Sequence, residues 1–180
     1  MIPRHPLRRP DFRFELRPYA LSCLPALYEA AIESRKEISP WMAWIHGDYT
    51  LQDAEKWTTH CLDAWDAQSE FEFVIFDSQD GLPAGSCGLN NINRKDRVSN
   101  LGYWVRTSKS RLNAATQATL LLKDFGLNVV GLNRLEIVVA DGNNTSRRVA
   151  EKAGALYEGR QRRRVQVGDK VHDAHMYALI

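Results

Sequence analysis

Leu101-Gly102-Tyr103-Trp104-Val105-Arg106, the loop Thr107–Leu112 and the run Asn113–Asn128 decide how this chain is read. The first six residues are rich in aromatic and β-branched side chains, which marks a strand. A polar turn, Thr107-Ser108-Lys109-Ser110, follows, and the residues from Asn113 to Lys123 suit a helix. Ala115, Ala118, Leu121, Leu122 and Phe125 recur at steps of three and four, so they share one helical face. Ser110 or Asn113 is expected to cap the helix start, and Gly126 its end.

Charge around that helix start is the informative feature. No carboxylate lies between Asn113 and Lys123, although acidic side chains ordinarily favour a first turn. Arg106, Lys109 and Arg111 crowd the approach instead. A helix N-terminus carries unpaired N–H groups, so the combination suits an anion. The competing reading is an ordinary strand–loop–helix with a solvated basic loop.

Arg134–Ala140 forms a further strand, followed by Asp141-Gly142-Asn143-Asn144-Thr145-Ser146 and the helix end Lys152-Ala153-Gly154-Ala155. The strand ending in Gly102-Tyr103-Trp104, the loop and helix from Ser110 to Ala118, the Asn144–Ser146 segment and the closing stretch Val167–Leu179 together resemble the GNAT superfamily of acetyl-CoA-dependent N-acetyltransferases. Within it, the Rim-like branch, which acetylates the N-terminal amines of ribosomal proteins, is the nearest match. The resemblance runs from about Phe12 to the C-terminus.

It implies an α/β fold with a single mixed, mostly antiparallel sheet flanked by helices. It also implies acetyl-CoA as co-substrate, with the pyrophosphate at Ser110, Arg111, Leu112, Asn113, Ala114, Ala115 and Thr116. Backbone N–H groups around Trp104, Val105 and Arg106 would polarise the thioester and pair with the pantetheine arm, which Asn144 would also touch. Ser146 would protonate the departing thiolate, a role a hydroxyl can fill; alternatively Ser146 or Thr145 merely caps its helix. Trp41 and Trp44 would wall the acceptor groove, or else pack a short helix against the core. Arg111 and Asn113 replace two glycines of the family's phosphate loop. Asn113 tolerates a left-handed backbone, while Arg111 would either bind a phosphate or obstruct one. The glutamate that the branch offers as a base falls here at Val165. Glu72, a water held by Asn90, or no base at all are the alternatives.

The rest of the chain sets bounds. At 180 residues with a net charge of +2, one domain (12–180) behind an arm (1–11) is expected, without direct nucleic-acid binding. Cys23, Cys61 and Cys87 are odd in number and lack metal-ligand spacing, which suits a reducing compartment. The Pro-rich start has no apolar core and is not a signal peptide. No apolar run approaches the roughly 18 residues a membrane span needs, so a soluble cytoplasmic protein, monomer or homodimer, is expected.

Taken in order, Phe12–Arg17 reads as a strand, and Leu24, Leu27, Tyr28 and Ala31 mark a helix. Thr50 and Asp53 read as a capping box. Trp57, Cys61 and Trp65 follow at steps of four as core. Glu70–Phe76 and Leu82–Leu89 form a hairpin, with Asn90–Asn93 leading into a turn. Arg160, Arg162 and Arg164 share one face of a strand, as a solvated edge or a basic lip. Asp173 and His175 share a face that His172 does not, which argues against one shared metal. The acceptor would be a protein N-terminus or a small-molecule amine. A GNAT-fold binding or regulatory module that has lost turnover is the alternative of another class.

Overall fold

A computed structural model describes all of residues 1–180. Strands β1 (Phe14–Pro18), β2 (Phe71–Asp77), β3 (Pro83–Asn93), β4 (Val98–Val105), β5 (Arg134–Ala140), β6 (Leu156–Val167) and β7 (Lys170–Leu179) form one sheet. The spatial order is β1-β2-β3-β4-β5-β7-β6. Helices α1 (Leu24–Glu33), α2 (Arg35–Ile38), α3 (Leu51–Asp66), α4 (Ala114–Asp124) and α5 (Asn144–Lys152) cover it. The expected element order and mixed sheet are therefore present. Every adjacent pair is antiparallel except β4 and β5, which run parallel.

Strand β2 shows why the sheet is buried on both faces: all seven of its residues are buried. Phe71, Phe73 and Ile75 join Leu101, Leu122, Phe125 and Leu135 in the main core. Trp65 packs edge-on, 5.1 Å from both Phe71 and Phe73. The alternate residues Val74 and Phe76 meet Tyr19, Leu27 and Cys61 in a smaller core on the opposite face. Thr50 and Asp53 form the expected reciprocal cap of α3. The N-terminal arm lies along the domain, with Leu7 bridged to Leu16 and Arg4 paired to Asp66 at 2.8 Å.

Several local readings need correction. Neither Ser110 nor Asn113 caps α4 with its side chain, because the Ser110 hydroxyl turns back to donate to the Thr107 carbonyl at 2.5 Å. Gly126 does not end the helix. The chain continues as a π-helical turn over Phe125–Val129, and a Cβ at Gly126 would stand 2.9 Å from a Leu135 methyl, so the glycine serves close packing. Strand β3 runs on to Asn93, paired with Val98 across an irregularity at Asn91. Trp57 leaves the core and is 43% exposed, since steps of four advance past a full turn and rotate each residue about 40° from the last. A register shift between Gln161 and Val165, with Arg163 at φ 51°, breaks the alternation expected of Arg160, Arg162 and Arg164.

Candidate active site

The parallel ladder between β4 and β5 pairs Val98, Ser99 and Asn100 with Arg134, Leu135 and Glu136, and ends there. Beyond it β4 continues to Val105 beside β3 alone, so the two strands part and leave a gap with unpartnered backbone edges. The Arg106 N–H donates to the Ala84 carbonyl at 2.8 Å. Successive residues of an antiparallel strand address opposite edges. The Trp104 N–H therefore also faces β3, while those of Val105 and Tyr103 face the gap. Of the three backbone donors expected from the sequence, Val105 alone is directed there, and Tyr103 joins it.

Helix α4 begins at the mouth of this gap. Asn113 at its N-cap has φ 64°, and Arg111 has the same left-handed φ of 64°. Both residues that stand in for glycines thus take a conformation glycine adopts freely. No acidic residue lies in the first turn, and the first backbone bond into α4 is Gln117 N–H to Asn113 O at 2.9 Å. The N–H groups of Ala114, Ala115 and Thr116 are left without intrahelical partners, at the positive end of the helix dipole.

The flanking cations are not equivalent. Arg106 is paired with Glu33 at 2.6 Å. Lys109 is 9% exposed and donates to Asp77 at 2.7 Å, and also binds Asp80. Asp77 is fully buried and accepts two further bonds from Arg13, at 2.9 and 2.6 Å. Those bonds, with that from Lys109, hold its carboxyl well below the usual range. Lys109 and Arg106 are therefore structural braces of the loop, and Arg111 is the exposed cation beside the helix start. Ser110 and Leu112 are also exposed there.

Across the gap, Asn143 caps α5 by accepting from the Ser146 N–H at 3.1 Å. The cap is thus neither Thr145 nor Ser146. The Ser146 hydroxyl sits 3.0 Å from the Tyr103 hydroxyl, which is also 3.0 Å from the Ser146 carbonyl. Burial pushes the Tyr103 phenol up to about 12, partly opposed by its bond to Ser146. The sequence marked Tyr103 only within Gly102-Tyr103-Trp104 and not for this role, because its partner lies 43 residues away. Asn144 is exposed, with its N–H bonded to the Gly142 carbonyl at 2.9 Å.

On the α1–α3 side of the sheet, a cavity of about 760 Å³ is lined by Trp44, Tyr49, Trp57 and Trp104, with Glu72 and Asn90 on the strands beneath. Trp44 lies 5.8 Å from Trp104 and 5.4 Å from Tyr49. Trp41 is not part of that wall; it lies against the Gly142 turn, where an added Cβ would be 3.6 Å from its ring. Glu72 is 6% exposed, and burial raises its carboxyl to about 7, against the bond it accepts from Asn90 at 3.3 Å. Asn100 donates to Asn90 at 2.9 Å, completing a polar relay from the end of the β4–β5 ladder to the carboxylate. Gly88, opposite Glu72, makes this possible, since a Cβ there would fall 2.0 Å from a Glu72 oxygen.

The outer residues of the chain's C-terminal hairpin are engaged elsewhere. His175 contacts Asp141 at 3.2 Å, and Arg160 pairs with Asp141 and Asp173 at 2.7 and 3.1 Å. Val165, at the place the resemblance gives to a glutamate, lines a polar crevice.

A splayed parallel pair, a helix N-terminus free of carboxylates and an aromatic cavity beside them define an α/β protein with an anion-binding end next to an apolar recess. Residues 13–156 match the model of the GNAT acetyltransferase domain, and the chain belongs to that family. Among curated relatives, YdaF of Bacillus subtilis (strain 168), whose name carries a provisional ribosomal N-acetyltransferase assignment, is 33% identical over 101 residues. That alignment spans 56% of this chain and 55% of the relative, a little over half of each. YjcK of the same organism, provisionally named an N-acetyltransferase, is 28% identical over 73% of this chain and 74% of its own. Among solved structures, the ribosomal L7/L12 α-N-protein acetyltransferase RimL in complex with coenzyme A superposes with a TM-score of 0.88 at 20% identity, covering 97% of each chain. The microcin C7 self-immunity acetyltransferase MccE, in complex with acetyl-CoA and AMP, gives 0.87 at 18% identity over 94% of this chain and 93% of that one. No helix here is long and apolar enough to cross a membrane.

Proposed function

We propose that the chain transfers acetyl from acetyl-CoA to the N-terminal amine of a polypeptide, by direct attack while both substrates are bound. The observation that carries this reading is Glu72: a buried carboxylate that titrates near neutrality, on the floor of a cavity linked by Asn90 and Asn100 to the end of the β4–β5 ladder. An α-amino group has a pKa of about 7.7–8.0, so a base near 7 is matched to its deprotonation.

Acetyl-CoA supplies an activated acyl group and a thiolate leaving group. The N–H groups of Ala114, Ala115 and Thr116 and the Arg111 guanidinium would take its phosphates, with Ser110, Leu112 and Asn113 shaping the loop and Asn144 touching the pantetheine arm. Val105 and Tyr103 N–H groups would bind along the gap and polarise the carbonyl. Glu72 would accept the amine proton, directly or through a water. The amine nitrogen bonds to the acyl carbon, the carbon–sulfur bond breaks, and the Ser146 hydroxyl gives its proton to sulfur; solvent water restores that proton and takes up the one left on Glu72. Tyr103 would hold the Ser146 hydroxyl for that transfer. The three free thiols, Cys23, Cys61 and Cys87, support a reducing cytoplasmic setting.

Coenzyme A release on mixing the protein with acetyl-CoA and N-terminally free peptides tests this reading. A rise in Tm with acetyl-CoA but no release with any amine would instead define a binding module.

A further inference from the structure

We infer that the polypeptide acceptor carries an aromatic first residue, seated in the Trp44–Trp57 cavity, with its main chain running out along the crevice beside β6. This rests on the acetyl-transfer reading and narrows its substrate. The aromatic cavity is large, about 760 Å³, while the amine must sit near its floor, within reach of Glu72. A serine or alanine side chain leaves most of that volume without contacts, and a void forfeits the dispersion its lining could gain. An indole or phenol ring takes up more of it and can stack on its aromatic walls. The walls also present flat partners: Trp57 stacks on His60 at 5.1 Å, Trp44 meets Trp104 at 5.8 Å, and the two indoles are 43% and 39% exposed. Exposed indoles converging on one cavity are an apolar surface with work to do.

A second cavity, about 610 Å³, adjoins the first and has a different character. Asn91, Asn93, Asn100 and Gln166 supply amides, Asp96 and Glu136 two carboxylates, and Arg164 one cation. Amides both donate and accept, which matches a peptide backbone carrying one donor and one acceptor per residue. Asn100 lines both cavities. One side chain at the junction therefore fixes the order: the first side chain goes to the aromatic cavity and the main chain to the amide-lined crevice. The bulge at Arg163, pinned by its N–H donating to Asp173 at 2.8 Å, brings Arg164, Val165 and Gln166 to the crevice wall.

The test uses hexapeptides identical beyond position one, with Ala, Ser, Leu, Phe, Tyr or Trp first, together with phenylalanine amide and phenethylamine. With the full chain and acetyl-CoA, kcat/KM is expected to be at least about tenfold higher for Phe, Tyr and Trp than for Ala and Ser, the gain in factor that about 1.4 kcal/mol confers. The Phe hexapeptide should have a KM several-fold below that of phenylalanine amide. Trp57→Ala should collapse the Phe-to-Ala ratio. Ala or Ser peptides matching or exceeding the aromatic ones would overturn the inference while leaving peptide acetylation intact. Turnover of phenethylamine but no peptide would overturn both the inference and the polypeptide acceptor. No turnover of any amine would overturn the acetyl-transfer reading itself.

Discussion

The hydroxyls of Tyr103 and Ser146 lie 3.0 Å apart, joining β4 to α5 across the gap that opens where the parallel ladder ends. The Ser146 hydroxyl is freed for this contact because Asn143 already caps the helix. Tyr103→Phe is expected to lower kcat several-fold with little change in KM for acetyl-CoA. The same change should cost about 1 kcal/mol of stability, as losing one hydrogen bond does. Ser146→Ala should lower kcat further, and the double variant should resemble Ser146→Ala alone. Steady-state kinetics on the four proteins decide this; independent, additive losses would separate the two residues.

Glu72 sets the pH dependence. Its carboxyl is raised from an ordinary 4.5 to about 7 by burial, so kcat/KM should rise with pH through about 7. Glu72→Gln should remove that limb and lower kcat/KM on the order of 10²-fold. Stability carries the opposite sign. The folded state holds the Glu72 proton more tightly than the unfolded chain, so its contribution falls as pH rises from 4.5 to about 7. Glu72→Gln should therefore raise Tm at pH 8 and leave it nearly unchanged at pH 4, as calorimetry can show.

Arg111 has a left-handed φ of 64°, which costs a side-chain-bearing residue roughly 1–2 kcal/mol. Arg111→Gly should relieve strain and, after the greater freedom of unfolded glycine is counted, stabilise the fold modestly. The same variant should bind coenzyme A several-fold more weakly, and the loss should shrink at high salt because the contact is exposed. Urea unfolding and calorimetric titration read the two effects separately. Unchanged affinity would remove Arg111 from the phosphate site.

Asp77 anchors the loop before α4. It is fully buried between Arg13 and Lys109, and its carboxyl is held well below its ordinary value by those bonds. Asp77→Asn should destabilise the protein at pH 7 by about 3 kcal/mol, the usual cost of breaking a buried ion pair. A depressed carboxyl stabilises above its unfolded value and loses that benefit as pH falls, so the deficit should narrow below about pH 4. Urea denaturation at pH 7 and pH 3 checks both statements.

The strands and helices were legible because their side chains repeat with a local period: Leu101–Arg106, the α4 stripe and the Thr50–Asp53 box announce themselves within a few residues. What stayed hidden is set by distant partners. Lys109 counted only as one of three cations crowding the helix start until the fold brought Asp77 to it from 32 residues away. Tyr103 entered only as part of the Gly102-Tyr103-Trp104 motif, with no role of its own, and Trp57 looked like core. Glu72 stood among alternatives because only burial, with Gly88 opposite, distinguishes it from any half-exposed strand carboxylate. The left-handed Arg111 and Asn113 are a different lesson: the backbone shape of a glycine loop is kept here by an asparagine that tolerates it and an arginine that does not favour it.

Only three residue pairs stitch β4 to β5, so the sheet is two leaves, β1–β4 and β5–β7, sharing a short spine. Whatever lodges in the fold between them acts as mortar, touching both leaves at once. Occupancy should therefore register far from the bound molecule: amide exchange along β5 and β7 should slow when the gutter is filled. The protein would sense its own substrate as a stiffening of half its sheet.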